Sequence, residues 1–500
     1  MESFIFHIGQ PQKKLLTVVL WLWNSIAFGQ QLSLTSAIQI AQQQSYDAMV
    51  ARLSFMSQYW SYRSFRAEML PSVNLSGNLL QFDRSMAEAR NYDDGRIAYV
   101  ENNSMSNSLA LSVDQNIVAL GGKLSVQSYL YRLDQFNYDT KTYNSQPVRL
   151  RYTQPLWAYN SLKWQKKTEP IKYEKAKRAY IESMEDVALQ TLSLFFSVLS
   201  AQSTYQQSVS TLKDRQYMFE IAKKRLDIGT TTKSELLQLE LSLLNAQVAV
   251  ENNVLTLKNQ KFRLFSYLRI YNYDDIELIP PFTIPDVTVN ADEVVNKALK
   301  NSTHNLVQQI SRLESEKLVA QAKANKGIQV QLNAELGFNR TANHFNEAYR
   351  NMKDNEIVGL TISLPIFDWG VSKGRVKMAE ADLEVTKTQL EQTHETYIQD
   401  LKISVLQFNM QYEQCKNALR AQDIADERYD ITKRRYETGA VTVTDLNTAQ
   451  QELENAHAQH IRQLQTFWTG YYELRRWTLY DWISHQNLTV DFNTVINIKK

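Results

Sequence analysis

Chemistry on a protein needs a nucleophile, an acid–base pair or a set of metal ligands at workable spacing, and this chain offers few. His457 and His460 lie three apart, so on a helix they share a face. Two imidazoles without a third ligand do not make a metal site, and packing is the plainer reading. Cys415 is the single cysteine of the 500 residues, which excludes an internal disulfide and any multi-cysteine metal centre. There is no glycine-rich phosphate loop, no HExxH helix and no nucleophile elbow. Asp445 stands where an acid would complement the start of a helix. The sequence therefore implies no catalytic residue, no cofactor and no metal. Its 55 basic and 53 acidic residues nearly balance, so no strong positive field invites nucleic acid. Only 14 glycines and 9 prolines occur, which favours helix.

What must be positioned is instead a duplicated pattern. The stretch from Pro155 to Gly229 reappears from Pro365 to Gly439 at a constant offset of 210 residues. Each copy opens on a strand-like run ending in proline, Leu150 to Pro155 and Leu360 to Pro365. An apolar pair follows, Leu156-Trp157 and Ile366-Phe367. Long helices are expected over 162–227 and 372–437. Between Lys166 and Leu226 there is no glycine, and no proline after Pro170, giving a helix roughly 90 Å long. The copies end on Arg225-Leu226 with Gly229 and on Arg435-Tyr436 with Gly439. Return helices are expected over 232–270 and 443–477. The heptad residues Leu236, Leu239, Leu243, Ala246, Val250 and Leu257 are matched by Leu446, Ala449, Leu453, Ala456, His460 and Phe467, so both copies carry one apolar seam.

Ahead of each copy lies a helix-like segment, 36–70 and 291–326, matched at an offset of 257 through Ala41 with Ala298 and Ser45 with Ser302. Period-two alternation marks strands within 72–157 and over 328–338 and 357–366. Asp83 to Ser106 and Asn339 to Asn355 read as polar loops. The drop in offset leaves 47 extra residues in the first strand region, around a hairpin at Gly121-Gly122. Two structural repeats, 30–286 and 287–482, and a tail, 483–500, account for the chain.

The first 29 residues read as an export signal: Lys13 and Lys14, an apolar core from Leu15 to Trp23, then Ala27 and Gly29 before the cut. With no cysteine after the cut, an N-terminal lipid anchor is not expected. No later stretch is long and apolar enough for a transmembrane helix. Amphipathic strands of about ten residues on such a chain suit an outer-membrane barrel. A few strands per copy cannot close one alone, and open edges are not tolerated in lipid, so copies must combine.

Over nearly its whole length the chain resembles the TolC-like outer-membrane efflux proteins. The resemblance is carried by the duplicated helix–strand–strand–helix–helix plan, the prolines Pro155 and Pro365, and the two tips with Glu235-Leu236 and Asp445-Leu446 beyond them. It implies a mostly α fold, with long coiled-coil helices forming a periplasmic α-barrel and strands sharing one trimeric β-barrel in outer-membrane lipid. It further implies a homotrimer in the Gram-negative outer membrane extending into the periplasm. Its partners would be a periplasmic adaptor (membrane fusion) protein and an inner-membrane pump. Substrate would be conducted passively from them to the exterior. Against the four strands usual for the family, the extra hairpin would give six per subunit, or else fold outside the barrel.

By position, the family's closing network places a tyrosine at Tyr436 and an acid at Asp445, making these, with Thr448, the constriction candidates. Thr448 stands where a second acid is expected and Val441 where an arginine is, so the lock departs from the pattern. Arg225, Leu226, Gly229, Arg435, Tyr436 and Gly439 are the adaptor-docking tips implied by the resemblance. Tyr129, Tyr131, Tyr159, Phe338 and Trp369, near expected strand ends, would form an interfacial girdle. For Trp157 and Phe367, packing at the barrel–helix junction is the expectation. A duct for a type I protein secretion system fits the same sequence. A surface coiled-coil protein would explain the heptads but not the matched strands.

Overall fold

The computed structural model describes residues 31–90, 97–273 and 275–497. The expected export signal lies outside the described residues. The chain divides into two units, one of 55–177 with 303–396, the other of the remaining segments.

The first unit holds six strands: β1 (Ser72–Arg90), β2 (Ile97–Ile117), β3 (Gly122–Gln135), β4 (Thr140–Leu156), β5 (Gln329–Ala342) and β6 (Lys353–Ser363). They form one antiparallel sheet in the order β1-β2-β3-β4-β5-β6. The hairpin at Gly121-Gly122 thus lies inside the sheet, joining β2 to β3. Two expectations are corrected here. The polar stretch Asp83 to Ser106 is largely strand, continuing β1 and β2 in register past a bulge between Asn78 and Gln81. In the second copy the strand begins at Lys353, within the expected loop, and stops at Ser363, so Pro365 lies outside it, whereas Pro155 is still paired in β4.

The long helices are α3 (Ser161–Asp227) and α7 (Val371–Glu437), each of 67 residues, and both contribute to both units. Pro170 falls within the third turn of α3, where it lacks the N–H that would bond to the Lys166 carbonyl. The return helices are α4 (Lys233–Leu268) and α8 (Val443–Thr478).

The expected single helices 36–70 and 291–326 are each broken in two. α1 (Leu34–Gln44) gives way to α2 (Tyr46–Glu68), and α5 (Ala291–Asn301) to α6 (His304–Lys326). The breaks fall at the matched serines. Ser45 and Ser302 are buried and extended, with backbone N–H groups donating to Ala41 and Ala298 carbonyls. The Ser45 hydroxyl then accepts from the Ala48 N–H and caps the next helix.

In the second unit, Phe195, Phe196, Leu264, Phe265, Phe408, Leu464 and Phe467 are fully buried. A further core at the helix ends joins Met218 and Ala222 of α3, Leu236 and Leu239 of α4, Tyr429 and Tyr436 of α7, and Leu446, Ala449 and Leu453 of α8. These include the heptad residues read from the sequence, which fixes the rotation of both return helices. The segment after α8 is more than a tail: Gln486–Asn487 pairs with Tyr480–Asp481, and Phe492–Asn497 is helical. Among the described residues no helix is long and apolar enough to cross a membrane.

Candidate functional site

Residues directly opposite across antiparallel strands share a face, so the register sorts the sheet into two. One face carries Val73 and Leu75 of β1, Leu109, Leu111 and Val113 of β2, and Leu124, Val126 and Leu130 of β3. It continues through Leu150 and Tyr152 of β4, Leu332, Ala334 and Leu336 of β5, and Val358, Leu360 and Ile362 of β6. This apolar band crosses all six strands, and nothing among the described residues buries it; Val358 is 74% exposed. The bulge at Leu80 preserves the band: the phase of β1 shifts there, and the Leu80 N–H donates to Asn107 Oδ1 at 2.7 Å. The opposite face is polar: Asn74, Ser112, Asp114, Ser125, Gln127, Arg149, Arg151, Asn333, Glu335 and Thr361.

The aromatics expected at the band's rims divide. Phe338 pairs with Asp354 at one end of the apolar face. Trp369 lies between β6 and α7, 87% exposed, against Phe367 at 4.5 Å. Tyr159 is half-buried between β4 and α3. Tyr129 and Tyr131 are corrected: they sit within β3, not at its end, opposite Ala110 and Ser108 on the polar face. Trp157 and Phe367 are not packed into a core but stand 77% and 71% exposed. Only the apolar flanks of these residues were visible in sequence; strand phase decides the face, and a bulge resets it.

At the helix ends both tips close by one motif. The Gly229 N–H donates to the Leu226 carbonyl and the Thr230 N–H to the Arg225 carbonyl; Gly439 to Tyr436 and Ala440 to Arg435 repeat this. Both glycines have positive φ, +75° and +78°. They differ in their surroundings. Gly229 faces open space, whereas Arg225 reaches across α7 to lie where a Gly439 side chain would stand. Arg225 Nη1 donates to the Tyr436 carbonyl at 3.3 Å, and the guanidinium lies over the Tyr436 ring.

Tyr436 does not line an opening in this chain: it is 1% exposed, inside the tip core. Its hydroxyl donates to Glu235 Oε1 at 3.5 Å, and burial, then the Glu235 charge, raises its pKa. The acid that meets Tyr436 is thus six residues past the first tip, not Asp445 past the second. Glu235 was present in the first tip's motif, but which tip supplies the partner is settled by packing, not spacing. Asp445 is exposed and serves the start of α8. Its carboxylate accepts from the Thr442 N–H at 2.9 Å and hydroxyl at 2.7 Å, while its own N–H donates to Thr442 Oγ1. This capping box holds its pKa below the usual carboxylate range. Thr448, also exposed, turns its hydroxyl to the Thr444 carbonyl. Leu226 is partly buried against the tip core, and Arg435 lies on the last turn of α7.

His457 and His460 pack rather than ligate. His457 Nε2 meets Asp426 at 2.9 Å; His460 Nδ1 meets Gln422 at 2.6 Å, beside the Phe282 ring. Among the described residues no cluster could hold a metal ion. Cys415 is buried, which pushes its thiol up to about 11 and leaves it unreactive.

A two-faced open sheet on very long paired helices defines the class of outer-membrane channel proteins with helical extensions. The family described as outer membrane efflux protein matches residues 37–268 and 294–476, and the chain belongs to it. That is a channel family, not an enzyme family. "Outer membrane protein TolC" of Escherichia coli (strain K12) is 22% identical over 305 residues, 56% of this chain. The match spans only 60% of that protein's length. Among solved structures, the CmeC outer membrane channel of Campylobacter jejuni superposes with a TM-score of 0.63 at 14% identity, covering 93% of this chain and 88% of that one. The outer membrane protein VceC of Vibrio cholerae gives 0.61 at 14% identity, covering 89% and 95%. The mostly α plan with long helices and a sheet portion, expected from the sequence, is the one found.

Proposed function

We propose that this protein is the outer-membrane duct of a tripartite export system, conducting substrate passively from a periplasmic adaptor and inner-membrane pump to the exterior. The observation that carries this is the uncovered apolar band across all six strands, backed by a continuous polar face. An apolar patch of this extent is not left in water, and lipid is the solvent it fits. Among the described residues β1 and β6 have no partner on their outer edges, and an open edge has no place in a bilayer. Copies of the chain supply the missing pairings; three copies make a barrel of about eighteen strands, an even number as such barrels require. The polar face then lines water, and α3, α4, α7 and α8 extend the passage through the periplasm.

The tips are the adaptor-docking ends. There the Tyr436–Glu235 and Arg225–Tyr436 contacts hold the closed arrangement, and the Asp445 carboxylates border the mouth. Reconstitution in planar bilayers tests the reading. Long-lived unitary conductance steps are expected from purified protein; protein that inserts but never conducts would defeat it.

A further inference from the structure

The polar face of the sheet is not charge-neutral where its charges gather. Two guanidiniums, Arg149 and Arg151, stand on β4 in adjacent layers and share one carboxylate, Glu335 of β5. Arg151 donates Nε and Nη2 to Glu335 Oε2 at 3.2 and 3.0 Å. Arg149 Nε lies 3.5 Å from Glu335 Oε1, which also accepts from Asn355. The other ion pair of this zone, Lys123 with Asp114, is internally balanced. The cluster of Arg149, Arg151 and Glu335 thus holds one net positive charge, and Lys353 of β6, opposite Asn339 on the same face, adds to it. The acid Asp83, farther along the same face, pairs with Ser104. Eight residues of strand separate it from Ser112, in the layer of Arg149, about 26 Å and well beyond a physiological screening length.

The site is built, not incidental. Arg149 is fixed by Gln127 at 2.7 Å and Gln146 at 3.0 Å, with its side chain only 17% exposed. β4 is bulged between Ser145 and Arg149, bringing it so close to β5 that only glycine fits at Gly337: a Cβ there would lie 2.7 Å from the Val148 carbonyl oxygen. Arg149 thus anchors Glu335, and Glu335 orients Arg151. Arg151 is half exposed, and its Nη1 makes no hydrogen bond among the described residues. A guanidinium held by one edge with the other open is the arrangement that takes an oxyanion.

We propose that Arg151, oriented by Glu335 and Arg149, is an anion-recognition site on the barrel wall, selecting carboxylate-bearing or other anionic cargo. This rests on the polar face lining the passage. The test uses full-length protein in planar bilayers at about 0.1 M salt, where screening is about 10 Å and Asp83 stays out of reach. The probe is hexacyanocobaltate, a trivalent anion. Wild-type conductance should be blocked by it, and R151Q should raise the half-blocking concentration about tenfold, the loss of one charge-assisted contact. R151K should retain most of the block. Arg340→Gln, an equal charge change on the apolar-band face, should leave it unchanged. An R151C variant in a Cys415→Ser background, modified with aminoethyl methanethiosulfonate, should regain block. Unchanged block in R151Q, or no recovery on restoring the charge, overturns the site. The face assignment is checked separately: the charged reagent should alter current through R151C but not through Leu111→Cys. The reverse result would sink the lumen reading itself.

Discussion

At the scale of single residues, the two tips show how one motif serves different ends. Both Gly229 and Gly439 need a left-handed backbone, so alanine costs about 1 kcal/mol at either. At Gly439 it must also displace the Arg225 guanidinium and its bond to the Tyr436 carbonyl, about 1 kcal/mol more. Gly439→Ala should therefore lower the denaturation midpoint more than Gly229→Ala; equal losses would show that Arg225 contributes nothing. Asp445 has two roles that substitution separates. Asp445→Ala removes the capping box, about 1 kcal/mol, together with the charge. Asp445→Asn retains an acceptor for the Thr442 N–H and removes only the charge. Reduced cation selectivity in both variants, measured as reversal potential, is expected; unchanged selectivity would reduce Asp445 to a helix-start acid. Tyr436→Phe loses a 3.5 Å contact, so stability should shift by less than about 1 kcal/mol while the closed state becomes easier to leave, seen as a higher open probability. The tip residues were legible because turn chemistry is local. The partner of Tyr436 was not, because it is made by packing between residues 201 apart.

Elements were legible where apolar period and punctuation agreed. The long helices and heptad seams follow from an unbroken 3.6-residue pattern. Ser45 and Ser302 were visible as a matched pair, yet a serine inside an apolar pattern does not by itself announce a break. Their burial and capping geometry do. The distal parts of β1 and β2 escaped notice because alternation is read from apolar residues. A strand that continues beyond the band, with charged pairs such as Arg84–Glu101, shows none. Packing within α8 also sets a pH response. His460 is buried, and burial, then the neighbouring His457, lowers its pKa, against Asp423. The folded protein thus keeps the ring neutral. This contribution is complete above the unfolded value of about 6.5 and is lost as pH falls through the lowered folded value. The drop in melting temperature from pH 7.5 to 5.5 should be smaller for His460→Gln than for wild type. Glu185 works in the other direction, since burial raises its pKa despite Arg475. An identical drop in the variant would remove His460 from the account.

For the whole molecule, everything turns on the sheet being one sector of a shared barrel. Among the described residues of one chain nothing buries the sheet's apolar face or pairs its outer edges, and its family is one of outer-membrane channels. Composition and periodicity pointed to oligomerisation through the shortage of strands. The count of six came from the extra residues around Gly121-Gly122, whose pairing only the register reveals. The most direct measurement is the native mass of the full-length protein extracted by mild detergent from fractionated membranes. The account requires outer-membrane fractions and a mass of three chains, each 58.0 kDa before any leader is removed. A single-chain mass, or recovery in the soluble fraction, would contradict the shared barrel and with it the proposed duct.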